Sequence, residues 1–90
     1  MMKYINGVFV PTQTEEKVHV IGLADHEDGD AYEIAAHFVP LTDAFITAIR
    51  LLSESADHVL ITDDEAYTRY SHTFLSLAPY SIHITRGIGA

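Results

Sequence analysis

The sequence predicts a single α/β domain over residues 1–90, built on one mixed five-stranded sheet with the element order β-β-β-α-β-α-β. Three observations predict this class. The chain has 90 residues, which suffices for one core but not for two. Hydrophobic residues make up 48% of it, which argues against intrinsic disorder. Stretches with the alternating apolar residues of strands are followed by stretches with the three-and-four spacing of helices.

Three strands are predicted in the N-terminal half. Residues 3–10 are rich in β-branched and aromatic residues, with Gly7 as a bulge or early bend. Residues 17–24 and 31–39 flank an Asp-Gly step at Gly29, which supplies the positive φ of a reversing turn, so they are predicted to pair as a hairpin. Residues 31–39 also fit helical spacing, and the sequence leaves strand and helix open for this segment.

The C-terminal half is predicted to alternate helices and strands. After Pro40, a broad apolar stripe through residues 45–56 indicates a helix. Residues 57–62 form a short apolar strand, a second helix runs over 64–77, and residues 80–86 form the last strand. Right-handed crossovers would make the last strands parallel and would place both helices mainly on one face of the sheet.

The composition limits the classes of partner. The chain has 13 Asp and Glu against 5 Lys and Arg, a net charge of −8. This charge disfavours direct binding to nucleic acid and favours a basic or nucleic-acid-binding protein as partner. Because there is no cysteine, disulfides and thiolate metal sites are excluded. No segment has the pattern of a signal peptide or the length of a membrane span, so we expect a cytoplasmic protein without membrane contact.

Short motifs in the C-terminal half resemble the ribonuclease H-like superfamily. Residues 48–67 look like the first helix and fourth strand of that family, where the strand ends in a pair such as Thr62 and Asp63. Residues 82–89 are similar to its fifth strand and the basic ending that follows. The predicted element order is also the order of that fold. The resemblance therefore implies a ribonuclease H-like sheet and, in catalytic members, two divalent metals held by carboxylates.

The carboxylates that the resemblance requires are largely missing. Asn6 stands in place of the first-strand aspartate, and Ala44 lies near the position of the helix carboxylate with only Asp43 beside it, whereas Asp63 matches. We therefore expect a shortened, non-catalytic member without a cofactor, acting as a protein-interaction module or inhibitor. The alternative is a metal-dependent nuclease or phosphodiesterase that uses Mg²⁺ or Mn²⁺ with Asp63, Asp64 and Asp43.

Acidic residues are concentrated around the predicted hairpin turn. We expect them to form an exposed anionic surface for a basic protein partner. The residues of this predicted partner-binding surface are Asp25, Glu27, Asp28, Asp30 and Glu33.

If both helices cover one face of the sheet, the other face stays bare. A bare, partly apolar face indicates an interaction surface, so we expect a homodimer formed through this face or through an exposed strand edge. The residues predicted on the bare face are His19, Ile21, Leu23, Ala35, His37 and Val39.

Three histidines fall on three predicted strands. Alternation can place His19, His37 and His83 on one sheet face, where they and the Asp63 carboxylate are the candidate ligands of a metal such as Zn²⁺. The competing interpretation, which we favour, is that these are half-buried strand residues that bind no metal.

Overall fold

We analysed a computed structural model, which describes residues 2–5, 7–11, 16–29, 31–70 and 73–87. The described residues form six strands and three helices. The strands are β1 (Met2–Ile5), β2 (Val8–Pro11), β3 (Lys17–Asp25), β4 (Ala31–Pro40), β5 (His58–Thr62) and β6 (Ser81–Thr85). The helices are α1 (Ala44–Glu54), α2 (Asp64–Arg69) and α3 (Phe74–Leu77), and 3-10 turns cover Leu41–Asp43 and Ala78–Tyr80.

The main sheet has four strands, in the order β4-β3-β5-β6, and every neighbouring pair is antiparallel. The predicted mixed five-stranded sheet is therefore wrong, and the protein belongs to the α+β class. One reason lies in residues 3–10, predicted as a single strand. The chain reverses there, with Gly7 at a φ of 81°, and β1 pairs with β2 in a separate two-stranded sheet.

The predicted parallel arrangement of the last two strands is also wrong. β5 and β6 are antiparallel neighbours, with Leu60 opposite His83. A parallel connection needs a helix that carries the chain back along the whole strand. The single helix predicted over 64–77 is instead two short helices, α2 and α3, which span only about 9 Å and about 6 Å, against about 16 Å for a five-residue strand. The chain therefore returns to the sheet close to the end of β5 and runs back beside it.

Helices cover both faces of the sheet, so the prediction that both lie mainly on one face is wrong. On the α1 face, Leu51 of α1 packs with Val20 of β3 and Val59 of β5. On the opposite face, which we call the α2–α3 face, Leu77 of α3 packs with Ile21, Leu23 and Leu60. The α1 connection joins β4 to β5, two parallel strands on either side of β3, whereas α2 and α3 join two antiparallel strands. The handedness rule for parallel crossovers therefore applies to the first connection only.

The β3–β4 hairpin is confirmed, and residues 31–39 form a strand rather than a helix. β4 pairs with β3 from Ala31 to Pro40. Gly29 has a φ of 99°, which is a conformation that favours glycine, and its N–H donates to the carbonyl of His26 at 2.9 Å. The register shifts between Gly22 and Leu23, which leaves Ile34 as the extra residue of a β-bulge.

Gly22 lies where β3 closely approaches the C-terminal end of α1. A Cβ atom at this position would lie 3.4 Å from a methyl carbon of Leu51 and 3.5 Å from the Cβ of Ala56. The lack of a side chain therefore lets the helix end settle directly on the central strand. None of the helices in the described part of the chain has the length and apolarity needed to cross a lipid bilayer.

Candidate functional site

Three ionisable side chains form a hydrogen-bonded chain on the α2–α3 face. The Nε2 atom of His58 lies 2.6 Å from Oδ1 of Asp25, and its Nδ1 atom lies 3.0 Å from Nε2 of His83. The strand pairing positions them, because Leu23 lies opposite His58 and Leu60 opposite His83, so all three project from one face of the sheet. We call this group the Asp-His-His chain.

The Asp-His-His chain can hold its protons in two ways. An ionised Asp25 only accepts hydrogen bonds, so Nε2 of His58 donates to it. Between the two imidazoles, either His83 donates to a neutral His58, or a protonated His58 donates to His83. Partial burial lowers the pKa of His83 below its ordinary value of 6.5, and the neighbouring His58 lowers it further. A neutral His83 is compatible with both arrangements.

A pocket of about 770 Å³ lies beside Asp25 and His58, at one end of the Asp-His-His chain. It is bordered on one side by the β3–β4 turn, with Asp25 and His26, and on the other by the beginning of α3, with Phe74 and Leu75. The Phe74 ring also packs against the ring of His58, with the centroids 5.2 Å apart. Phe74 therefore belongs both to the pocket wall and to the contacts that hold His58.

A third histidine, His19, attaches α2 to the sheet. Its ring stacks on Tyr67 of α2 at 3.8 Å and on Phe38 of β4 at 4.5 Å between centroids. Its Nε2 atom lies 2.8 Å from Oδ1 of Asp64, in the first turn of α2. With two aromatic faces and one carboxylate as neighbours, this imidazole serves as a packing residue of the fold.

The predicted metal ligands are not brought together. His19 and His83 lie on the α2–α3 face, but His37 lies opposite Val20 and so projects from the α1 face. Asp63 accepts a hydrogen bond from the N–H of Ala66 at 2.7 Å and caps α2. Among the described residues there is no group of three or more His, Asp or Glu side chains placed to hold a metal ion.

The carboxylates of the predicted nuclease alternative do not belong to any group of described residues placed to hold a metal ion. Asp63 and Asp64 lie at the beginning of α2, where one caps the helix and the other bonds to His19. Asp43 immediately precedes α1, which packs on the opposite face of the sheet. These three residues do not fit a two-metal centre, which requires several carboxylates around one pair of ions.

The residues of the predicted bare face divide between the two faces of the sheet. His19, Ile21 and Leu23 lie under α2 and α3, and the last two are buried. The other three project from the α1 face, where Ala35 and Val39 pack against the α1 core and His37 is exposed. No single surface contains all six residues, because their strands differ in which face odd-numbered positions occupy.

The acidic turn is exposed where it is described. Glu27 and Asp28 lie in the β3–β4 turn, and Glu33 lies on β4, all with exposed side chains. Asp25 is exposed as well, but one of its oxygens is held by His58. Asp30 lies outside the described residues.

β4 is an edge strand with large exposed apolar side chains. Among the described strands it pairs with β3 alone, and it lies at the end of the sheet. Tyr32, Ile34 and Phe38 on this strand are exposed, although Phe38 also contacts His19. A second exposed apolar surface lies on α1 and consists of Phe45, Ile46 and Ile49.

The sequence interpretation did not single out His58 as a candidate functional residue. The signal was the alternation within β5, which places His58 on the same face as the buried Leu60 and Thr62. Recognising its partners also required the β3–β5 and β5–β6 pairings, because Asp25 and His83 are 33 and 25 residues away.

No protein-family model matches this chain, and neither a curated protein nor a solved structure matches it. The resemblance to the ribonuclease H-like superfamily therefore stays a prediction from short motifs.

Proposed function

We propose that this protein is a non-catalytic interaction module that forms a homodimer by pairing the β4 edges of two copies. The observation that carries the proposal is the exposed apolar edge of the main sheet. β4 has ten residues, of which Tyr32, Ile34 and Phe38 expose large side chains. An edge strand presents unpaired N–H and C=O groups, which is a template for adding another strand.

The composition of β4 favours pairing over protection. Proteins blunt exposed edges with lysines, prolines, inward-pointing charges or β-bulges. Within β4, Glu33 is the one residue with a formal charge at pH 7, and Pro40 lies at the very end. The bulge at Ile34 interrupts the strand and leaves residues 35–39 as a regular segment. The other edge strand, β6, has only five residues and offers a shorter ladder.

A twofold axis across residues 35–39 would join the two sheets into one antiparallel sheet. Such an interface is self-complementary, because each copy offers the same strand. Ala36 would lie next to the middle of this segment, and its side chain is exposed. The apolar surface on α1 would flank the interface or remain open to a different partner.

The acidic turn supports a second partner class, a basic protein. Glu27 and Asp28 are exposed in the turn that precedes β4, and the chain as a whole carries a charge of −8. A negatively charged surface attracts a positively charged partner and repels nucleic acid. This turn lies outside residues 35–39, so a dimer through that segment leaves it available.

The edge proposal is tested by placing a lysine on each of the two exposed apolar surfaces. Ala36→Lys introduces a charge next to the centre of the edge segment, where the twofold axis would make the two lysines diagonal neighbours on one face. Ile49→Lys makes the same change of charge on α1 and serves as the matched control. We expect the unmodified protein and Ile49→Lys to sediment as dimers at about 0.3 mM, and Ala36→Lys to be at least about tenfold weaker in association.

Circular dichroism of each variant establishes that the fold is retained. A monomeric unmodified protein at that concentration would contradict the proposal. So would a dimeric Ala36→Lys together with a monomeric Ile49→Lys, because that result assigns the interface to α1.

A further inference from the structure

The pocket beside the Asp-His-His chain has the size and mixed lining of a small-molecule site. Its volume of about 770 Å³ lies within the range of about 300–1,000 Å³ that is usual for such sites. Phe74, Leu75 and Ala31 supply apolar walls, and Asp25 and His58 supply polar groups at one end. The interaction module proposed above does not use this pocket, since β4 offers its outer edge and the pocket lies beside α3.

The charge of the pocket selects the class of ligand. Among the described lining residues there is no lysine or arginine, whereas Asp25 is a carboxylate. Glu27 and Asp28 stand in the same turn and add negative potential. An anionic ligand would be repelled from this end of the pocket, and a cation would be attracted to it.

Asp25 is positioned to receive a hydrogen-bond donor. Its Oδ1 atom accepts from His58, and its backbone N–H donates to Asp57 at 2.9 Å, so the residue is held from two sides. Within the described residues, the second carboxylate oxygen, Oδ2, makes no hydrogen bond, and the side chain is 61% exposed. His83 is hydrogen-bonded to the other ring nitrogen of His58 and so helps to hold the His58 ring in this orientation.

We infer that this pocket binds a small organic amine with an apolar or aromatic body. The ammonium group donates to Asp25, and the body lies against Phe74 and Leu75. The face or edge of the Phe74 ring adds a favourable contact with an aromatic body, and its face can also attract the cation. His58 acts as a positioning residue, because it orients the carboxylate through Nε2.

The test compares two probes that share a phenyl ring and a two-carbon linker but differ in charge. These are 2-phenylethylamine, a cation, and 3-phenylpropionate, an anion. Binding is followed by amide chemical shifts in two-dimensional NMR at pH 7.5. We expect the amine to bind with a dissociation constant on the order of 1 mM, as is typical of a ligand of this size. The shifts should concentrate at residues 25–29, 31 and 73–75, and the anion should bind at least about fivefold more weakly.

Two carboxylate variants test whether Asp25 is the acidic group that attracts the amine. Asp25→Asn should weaken binding of the amine by about three- to fivefold, which corresponds to the free energy that a partly exposed ion pair contributes. Asp28→Asn removes an acid of the same turn that does not line the pocket, and it should weaken binding by less than about twofold. Leu75→Ala shortens an exposed wall residue without touching the core and should also weaken binding.

Equal binding of the two probes would overturn the inference, and so would equal effects of Asp25→Asn and Asp28→Asn. Shifts that avoid residues 25–29, 31 and 73–75 would overturn it as well. Sedimentation of Asp25→Asn separates this inference from the proposed dimer, because the variant should associate like the unmodified protein whether or not the amine binds.

Discussion

Histidines with the same sequence pattern have different surroundings in this protein. His19 lies between two aromatic rings, His58 lies between a carboxylate and another imidazole, and His37 is exposed on the opposite face. Each follows the alternation of its own strand, which the sequence makes visible. The aromatic neighbours of His19 lie 19 and 48 positions away along the chain, and the hydrogen-bond partners of His58 lie 25 and 33 positions away.

The lowered pKa of His83 makes stability depend on pH. The folded state resists protonation of this residue because of partial burial and the nearby His58. In the unfolded chain the group titrates near 6.5, so below that pH the unfolded state binds more protons than the folded state. The contribution of neutral His83 to the free energy of unfolding is therefore complete above pH 6.5, and it is lost as the pH falls through the folded-state pKa of this residue.

The measurement is urea unfolding at several pH values between 7.5 and 5. We expect His83→Gln to lose less stability over this range than the unmodified protein. Thr85→Ser, on the same strand, adds and removes no titratable group in this range and should keep the original slope. A His83→Gln slope as steep as that of the unmodified protein would show that other groups cause the pH dependence.

At the scale of elements, the α2–α3 segment closes one face of the sheet although both helices are short. Asp63 caps α2 and Thr73 caps α3, each by accepting from a backbone N–H three residues ahead. Caps of this kind contribute about 1 kcal/mol each, which matters for helices of six and four residues. The packing of Leu77 against Ile21 and Leu60 supplies the larger part of the attachment.

Two leucines of α3 provide a matched test of that attachment. Leu77 is 2% exposed and Leu75 is 77% exposed. Leu77→Ala removes core contacts and leaves a cavity, so it should lower the free energy of unfolding by about 2–5 kcal/mol. Leu75→Ala should change it by no more than about 0.5 kcal/mol. Chemical denaturation measures both, and similar losses for the two variants would contradict the described packing of α3.

At the scale of the whole molecule, the net charge opposes self-association, whereas the exposed apolar edge favours it. Each copy carries a charge of −8, so two copies repel each other at low ionic strength. The exposed apolar edge of β4 acts against this repulsion at short range. Salt reduces the repulsion, since the Debye length falls from about 10 Å at 0.1 M to about 3 Å at 1 M.

The proposed homodimer should therefore become tighter as salt increases. We expect the dissociation constant, measured by analytical ultracentrifugation, to fall between 0.02 and 0.5 M NaCl. A variant that combines Glu27→Gln with Asp28→Asn removes two negative charges from the turn and should have a shallower salt dependence. Association that weakens with salt would instead indicate contact between opposite charges, as expected for the acidic turn on a basic partner.

Local patterns in the sequence determined several elements correctly. They placed a hairpin around Gly29, a helix after Pro40 and strands near residues 57–62 and 80–86, because turn chemistry and apolar spacing act over a few residues. Tertiary structure decided the direction of β6, the division of the helices between two faces, and the meeting of Asp25, His58 and His83. These features depend on which distant strands pair and on how far each short helix carries the chain, and the periodicity of single segments contains neither quantity.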